Sequence, residues 1–271
     1  MAAREHILIK DWIDLAGTAL APGAGFSAFL ALSALVALAI VVISVATFAF
    51  FEVMNARHPE RKVQPDRFDV NRWRELRYAP GSILVISLFF AGGLFAQGQG
   101  WALTPMPLGW WSGTVLFAAS IILYDAWFYW VHRLLHWRPM YRFHSQLHTS
   151  IAPWTLSHHH ETLVEAILNQ AFYVLIVFVL PIPWQTLIAQ KIYDQISGML
   201  GHSGYEHFAS PAGRNPSPLA STVFHDQHHS SFRYNFAHTF SVWDRLLGTL
   251  HPRYDETVEQ FERIIKDRPA R

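Results

Sequence analysis

The chain has 271 residues, of which 51% are hydrophobic, 15% aromatic and only 15% charged, with a formal net charge of +1. A soluble domain carries about a quarter charged residues, so the composition points to an integral membrane protein, and the near-neutral balance leaves no nucleic-acid footprint. The absence of cysteine excludes disulfides, thiolate catalysis, haem-thiolate ligation and cysteine-ligated iron–sulfur clusters, so any redox chemistry takes its electrons from a separate protein.

In chain order, residues 1–25 read as a short amphipathic lead-in ending in the Pro22-Gly23 turn. The run from Phe26 to Phe51 has no charged residue, which exceeds the roughly 20 positions needed to cross a hydrocarbon core, and it starts too late to be a secretory signal. Arg57, Arg61, Lys62, Arg67, Arg72, Arg74 and Arg77 follow, and the positive-inside tendency places them in the cytosol. Further apolar stretches run from Ser82 to Gln97, from Trp110 to about Trp130, from Ala166 to Val179 and from Trp184 to Leu200. Pro181-Ile182-Pro183 breaks the last two into a hairpin. The fold class expected is therefore an all-α integral membrane bundle of about four transmembrane helices or helical hairpins. Residues 208–222, with four prolines or glycines, form a loop, and the polar segment from Asp255 reads as a helix with a solvated charged face. No repeat or linker divides the chain, so residues 1–271 read as one domain.

Twelve of the sixteen histidines lie between His132 and His229. They form the groups His132/His136, His144/His148, His158/His159/His160, His202/His207 and His225/His228/His229, placed at the ends of the apolar helices that the charge pattern assigns to the cytosol. Histidines at i, i+3 and i+4 share a helix face and can aim ring nitrogens at one point. Neutral imidazole suits iron, zinc, copper and nickel, and the surplus over the three or so ligands of a mononuclear site favours two metals. Asp125, Tyr129, His132 and His136 form one stripe, in which Asp125 is expected either to accept a hydrogen bond from a ligand imidazole or Arg133 or to reach headgroup water. Trp101, Trp110, Trp111, Trp127, Trp130 and Trp137 fit interfacial belts, some doubling, with Phe128 and Tyr129, as walls of a lipid tunnel.

The strings His132-Arg133-Leu134-Leu135-His136, Tyr141-Arg142-Phe143-His144 to His148, His158 with Glu161, Gly201-His202-Ser203-Gly204-Tyr205, His225-Asp226-Gln227-His228-His229, and Asn235 onward to Trp243-Asp244-Arg245-Leu246-Leu247-Gly248-Thr249 resemble the fatty acid hydroxylase/sterol desaturase superfamily over about residues 110–250. The resemblance implies a membrane anchor under a cytosolic helical cap, where a histidine-rich centre of two iron ions activates O2 to hydroxylate or desaturate a lipid. It implies as ligands His132, His136, His144, His148, His225, His228 and His229, with His158 and His202 at the isolated family positions. Where the second box of the family carries a further histidine this chain has Leu147, so His159, His160, His207 or His238 is expected to replace it. His160 and His207 therefore join the expected ligand set. Glu161 and Asp226, with Asp125, and also Glu206 and Asp244, are expected to orient ligand rings.

The expected activity is oxidation of a lipid C–H bond, hydroxylation over desaturation, with zinc able to occupy the same imidazole sites in purified protein. A transition-metal transporter or store would place ligands at bilayer depth, and a dinuclear zinc hydrolase of membrane substrates stays open although no HExxH helix is present.

Overall fold

The computed structural model describes residue 17 and residues 20–67 and 72–267, and most of the expected lead-in, with His6, lies outside them. The described residues form helices joined by loops and 3-10 turns, with two isolated β-bridges and no strand. Three helical spans are long and apolar enough to cross a membrane: Phe26–Arg57, Arg72–Gly98 and Trp110–Leu135.

Helix α1 (Phe26–Arg57) runs beyond its apolar stretch until Pro59 stops it, because the residue before a proline disfavours the helical region. Its buried residues, among them Val36, Ile40, Ser44, Thr47, Phe51 and Asn55, recur every three or four positions and form the stripe facing the bundle, while Val42, Val45 and Phe50 face outward. The short α2 (Arg72–Glu75) leads through a 3-10 turn into α3 (Ala79–Gly98). After a loop comes α4 (Trp110–Leu135). Helix α5 (Leu163–Leu175) and helix α6 (Trp184–Gly201) form the expected hairpin around the Pro181–Pro183 break. The first of these is too short to span alone, so the membrane part is three long helices and a hairpin.

The five long helices close into a ring: α1 packs on α3, α3 on α5, α5 on α4, α4 on α6, and α6 on α1. Their shared core includes Leu32, Ile40, Ile86, Phe90, Tyr124, Phe172 and Tyr173. Contact between α3 and α5 depends on Gly93, where a Cβ would lie 2.2 Å from the Tyr173 carbonyl oxygen. Gly93→Ala is expected to force the two helices apart and to cost about 1–3 kcal/mol, read as a lower unfolding temperature in detergent.

A smaller cap covers the end of the ring at which α4 and α6 terminate. It is built from α7 (Thr222–Ser231), α8 (Val242–Leu246) and α9 (Tyr254–Lys266), and its core joins Tyr129 to Val223, Phe224, Phe236, Tyr254, Val258 and Phe261. The charged face of α9 is not wholly solvated, since Glu262 is buried and accepts from Arg214 at 2.8 Å.

Candidate metal centre

Where the cap meets the ring, the histidines converge in two groups. The imidazoles of His132, His136, His144, His148 and His228 form the first and those of His202, His225 and His229 the second, with the nitrogens of each group within 4.8 Å of one another. Helix α4 delivers His132 at its last turn and His136 at its cap, and 3-10 turns deliver His144 and His148. His202 caps α6. Helix α7 serves both groups, because His225 and His229 lie one turn apart on one column and His228 lies on the next.

Backbone carbonyls fix the ring tautomers. The Nδ1–H of His132 donates to the Phe236 carbonyl at 2.8 Å, that of His228 to Tyr234 at 2.6 Å, that of His229 to Ser150 at 2.9 Å and that of His202 to Gly198 at 2.7 Å. A neutral imidazole has one N–H, so these four rings present bare Nε2 lone pairs. In the second group the His225 Nε2 lies 3.0 Å from His202 Nε2 and 3.1 Å from His229 Nε2, and its single possible proton satisfies at most one of them. In the first group His148 Nε2 faces His136, His144 and His228 at 3.0–3.2 Å. Lone pairs held head to head need a cation between them. Nitrogens ~2.1 Å from one ion at right angles lie ~3.0 Å apart, so the spacing fits a nitrogen-binding transition metal in each group.

Electrostatics favour the same use. Burial pushes His144 down to about 3 and His202 to about 4, and burial also lowers His136, His148, His225, His228 and His229. The rings therefore stay neutral, as metal ligation requires.

The turn after α7 is held in an unusual conformation. Phe232 and Asn235 have φ of 56° and 60°, strained for a phenylalanine, and the Phe232 ring lies 4.6 Å from that of His148. This reversal brings the Tyr234 and Phe236 carbonyls back onto the rings of His228 and His132.

Several expected site residues lie elsewhere. His158 is outside both groups, its ring 5.6 Å from that of His202, seated against α6 where Gly198 has no side chain and a Cβ would meet the ring at 2.5 Å. His159 bonds Ser44, Ser82 and Gln195, His160 bonds Ser150, His207 bonds Asn55 at 2.7 Å and His238 bonds Thr239. None of these four lies in either group. The buried Leu147 instead lines the cavity beside the centre.

The carboxylates also differ from expectation. Asp125 meets neither a ligand ring nor Arg133: its Oδ1 accepts the backbone N–H groups of His238, Thr239 and Phe240 at 2.6–3.1 Å. Glu161 accepts from Ser82 at 2.7 Å, and burial with Glu165 nearby pushes it up to about 8. Asp226 faces away from the ligands toward Gln64, at 2.8 Å, with burial pushing it up to about 7. Glu206 and Asp244 likewise hold backbone amides. The carboxylate that does touch a ring of the two groups is Glu165, 2.7 Å from His144 Nδ1, and sequence analysis missed it. Its signal was present: it is the single charge in the otherwise uncharged stretch from Leu163 to Leu180. Glu165→Leu is expected to strand the His144 ring nitrogen and weaken metal binding 10- to 100-fold, measured by chelator competition, with Glu165→Gln weakening it less.

Beside the centre, a cavity of about 60 Å³ is lined by Tyr124, Phe128, Leu135 and Leu147 together with ligand rings.

A fatty acid hydroxylase family model matches residues 117–249. The chain is 35% identical over 136 residues to methylsterol monooxygenase 1 of Gallus gallus, covering 47% of this chain and 43% of that protein. It is 32% identical over 162 residues to a C-4 methylsterol oxidase of Schizosaccharomyces pombe, covering 56% and 49%. It is 25% identical over 215 residues to a probable Delta(7)-sterol 5(6)-desaturase of Neurospora crassa, covering 72% and 61%. The chain thus spans about half the length of the curated relatives it matches. No solved structure matches it.

Proposed function

From the match of a fatty acid hydroxylase family model to residues 117–249 we propose that this membrane protein oxidises a C–H bond of a lipid, with a sterol-like molecule the favoured class. The observation that carries the proposal is the head-to-head packing of Nε2 atoms in two adjacent groups, two rings of each group having Nδ1 committed to a backbone carbonyl. We assign the eight histidines of these groups as ligands of two iron ions. Held there, the irons supply the O2 activation that turns an unactivated C–H bond into C–OH, with electrons and protons drawn from outside the chain.

The chain's own part is geometric. Carbonyls of residues 150, 198, 234 and 236 fix the rings before metal arrives, which lowers the reorganisation needed on binding. Phe128, Leu135 and Leu147 wall the cavity and keep bulk water from the reacting carbon. The basic residues from Arg57 to Arg77 stand at the same end of α1 and α3 as the histidines do on α4, which by the positive-inside tendency turns the centre to the cytosol and to a soluble electron donor.

Methylsterol monooxygenases and a desaturase both occur among the relatives; hydroxylation is favoured here. Purified protein in nanodiscs, supplied with reductant, a methylsterol and 18O2, is expected to give a product carrying one labelled oxygen. Loss of two hydrogens without label identifies desaturation, and neither product with iron bound overturns the proposal.

A further inference from the structure

Inside the ring, away from the ligand rings, lies a polar cluster that the metal chemistry leaves unused. Lys191 and Asp194 of α6 form an ion pair, Nζ to Oδ2 2.7 Å, with both side chains 3% exposed. Lys191 also donates to Gln170 Oε1 at 3.0 Å, and the Tyr173 hydroxyl donates to Asp194 Oδ2 at 2.9 Å. An ion pair buried in an apolar bundle costs more than the hydrophobic side chains that would fill the same space, and at membrane depth it marks a functional position.

Asp194 reaches the wall of the cavity that the ligands His132, His144, His202 and His225 also line, and His238 stands beside it. His238 Nε2 and Asp194 Oδ1 face each other at 3.9 Å. That is too long for a direct hydrogen bond and fits one oxygen atom bound to both. The donors around the gap have a direction. Tyr193 donates its hydroxyl to Thr239 Oγ1 at 3.4 Å, which leaves the Thr239 proton for His238 Nδ1, 3.1 Å away. The imidazole then carries its proton on Nε2, aimed at the gap, while the carboxylate opposite only accepts. A group that fills the gap must accept from the ring and donate to the carboxylate. An alcohol does both, and a ketone or an ether lacks the proton.

We propose that His238 and Asp194 form a hydroxyl-recognition subsite, and that the substrate is a lipid alcohol whose hydroxyl lies close to the carbon that is oxidised. The proximity follows from the lining, because His238 and Asp194 share the wall of one cavity with His132, His144, His202 and His225. The subsite rests on the oxidoreductase assignment for its role in the reaction, and its chemistry is testable apart from turnover. Lys191 and Tyr173 hold the carboxylate in place, and Tyr124 and Phe128, with ring centroids 5.7 and 5.2 Å from His238, hold the imidazole.

The test is equilibrium binding to the iron-loaded protein in nanodiscs. The probes are a tritiated methylsterol bearing a ring hydroxyl and its ring ketone, and a tritiated long-chain secondary alcohol and its ketone. At least one alcohol is expected to bind about 10- to 100-fold more tightly than its ketone. That ratio falls to about 1 in Asp194→Asn and in His238→Phe, while metal content is unchanged. His238→Phe preserves the aromatic packing and lies outside the ion pair, so it decides the question if Asp194→Asn fails to fold. Equal binding of alcohol and ketone, no binding of either alcohol, or a ratio retained in His238→Phe overturns the subsite. A preserved ratio without O2-dependent product would instead overturn the oxidoreductase assignment and leave the subsite standing.

Discussion

His148→Ala is expected to halve the metal content, from about two ions per chain to about one, and to abolish product. The residue is the hub of the first group, its Nε2 within 3.2 Å of His136, His144 and His228. Its removal takes away the nitrogen on which three of the other four rings meet. His229→Ala is expected to empty the second group in the same way, since His229 and His202 both converge on His225. The double variant is then expected to bind close to no metal. Plasma mass spectrometry of membranes solubilised from iron-supplemented cells reads all three. Full metal content or normal turnover in either single variant sinks the two-group assignment.

Glu75→Ala should be the most destabilising change outside the ligand set. The carboxylate is 5% exposed and accepts from the Ser150 hydroxyl, from the Trp154 indole N–H at 2.8 Å and from the Ser157 hydroxyl at 2.6 Å. Alanine leaves all three donors buried without this acceptor, at about 1–3 kcal/mol each. Partial rearrangement brings the expected total to about 3–5 kcal/mol. The change also reaches the metal centre, because Ser150 supplies the carbonyl that orients His229. Thermal unfolding in detergent should therefore fall sharply and the second group should lose metal before the first. A shift worth less than about 1 kcal/mol would show that the 150–157 loop is held by something else.

The apolar runs made α1, α3 and α4 legible, and the i, i+4 spacing of His132 with His136 and of His225 with His229 pointed to faces that the structure does bring together. Other expectations failed for identifiable reasons. His158, His159 and His160 are consecutive, and Thr155–His159 is a 3-10 helix, in which neighbours radiate ~120° apart. Adjacent histidines there necessarily point to different places, one toward His202, one into the helices and one toward Ser150. Asp125 looked like a partner for a ring because a membrane carboxylate needs one, yet its partners are amides 113 to 115 positions away, and main-chain donors leave no mark on a sequence. The same holds for the carbonyls that fix the ligand tautomers. Glu165 was overlooked because it lies in a helix without histidines, although the isolated charge was visible.

Helix α7 acts as a gauge block between the two groups. His225 and His229 serve one and His228 the other, so the offset between the two clusters is set by helical pitch, about 1.5 Å of rise and 100° of turn per residue. Lengthening the 208–220 loop would leave that offset untouched. One residue inserted within Thr222–Ser231 would swing every following ligand by about 100° and hand His228 or His229 to the wrong neighbour. Tolerance to insertion should therefore drop abruptly at Thr222 and return after the cap turn, a boundary set by winding and not by distance from the metal.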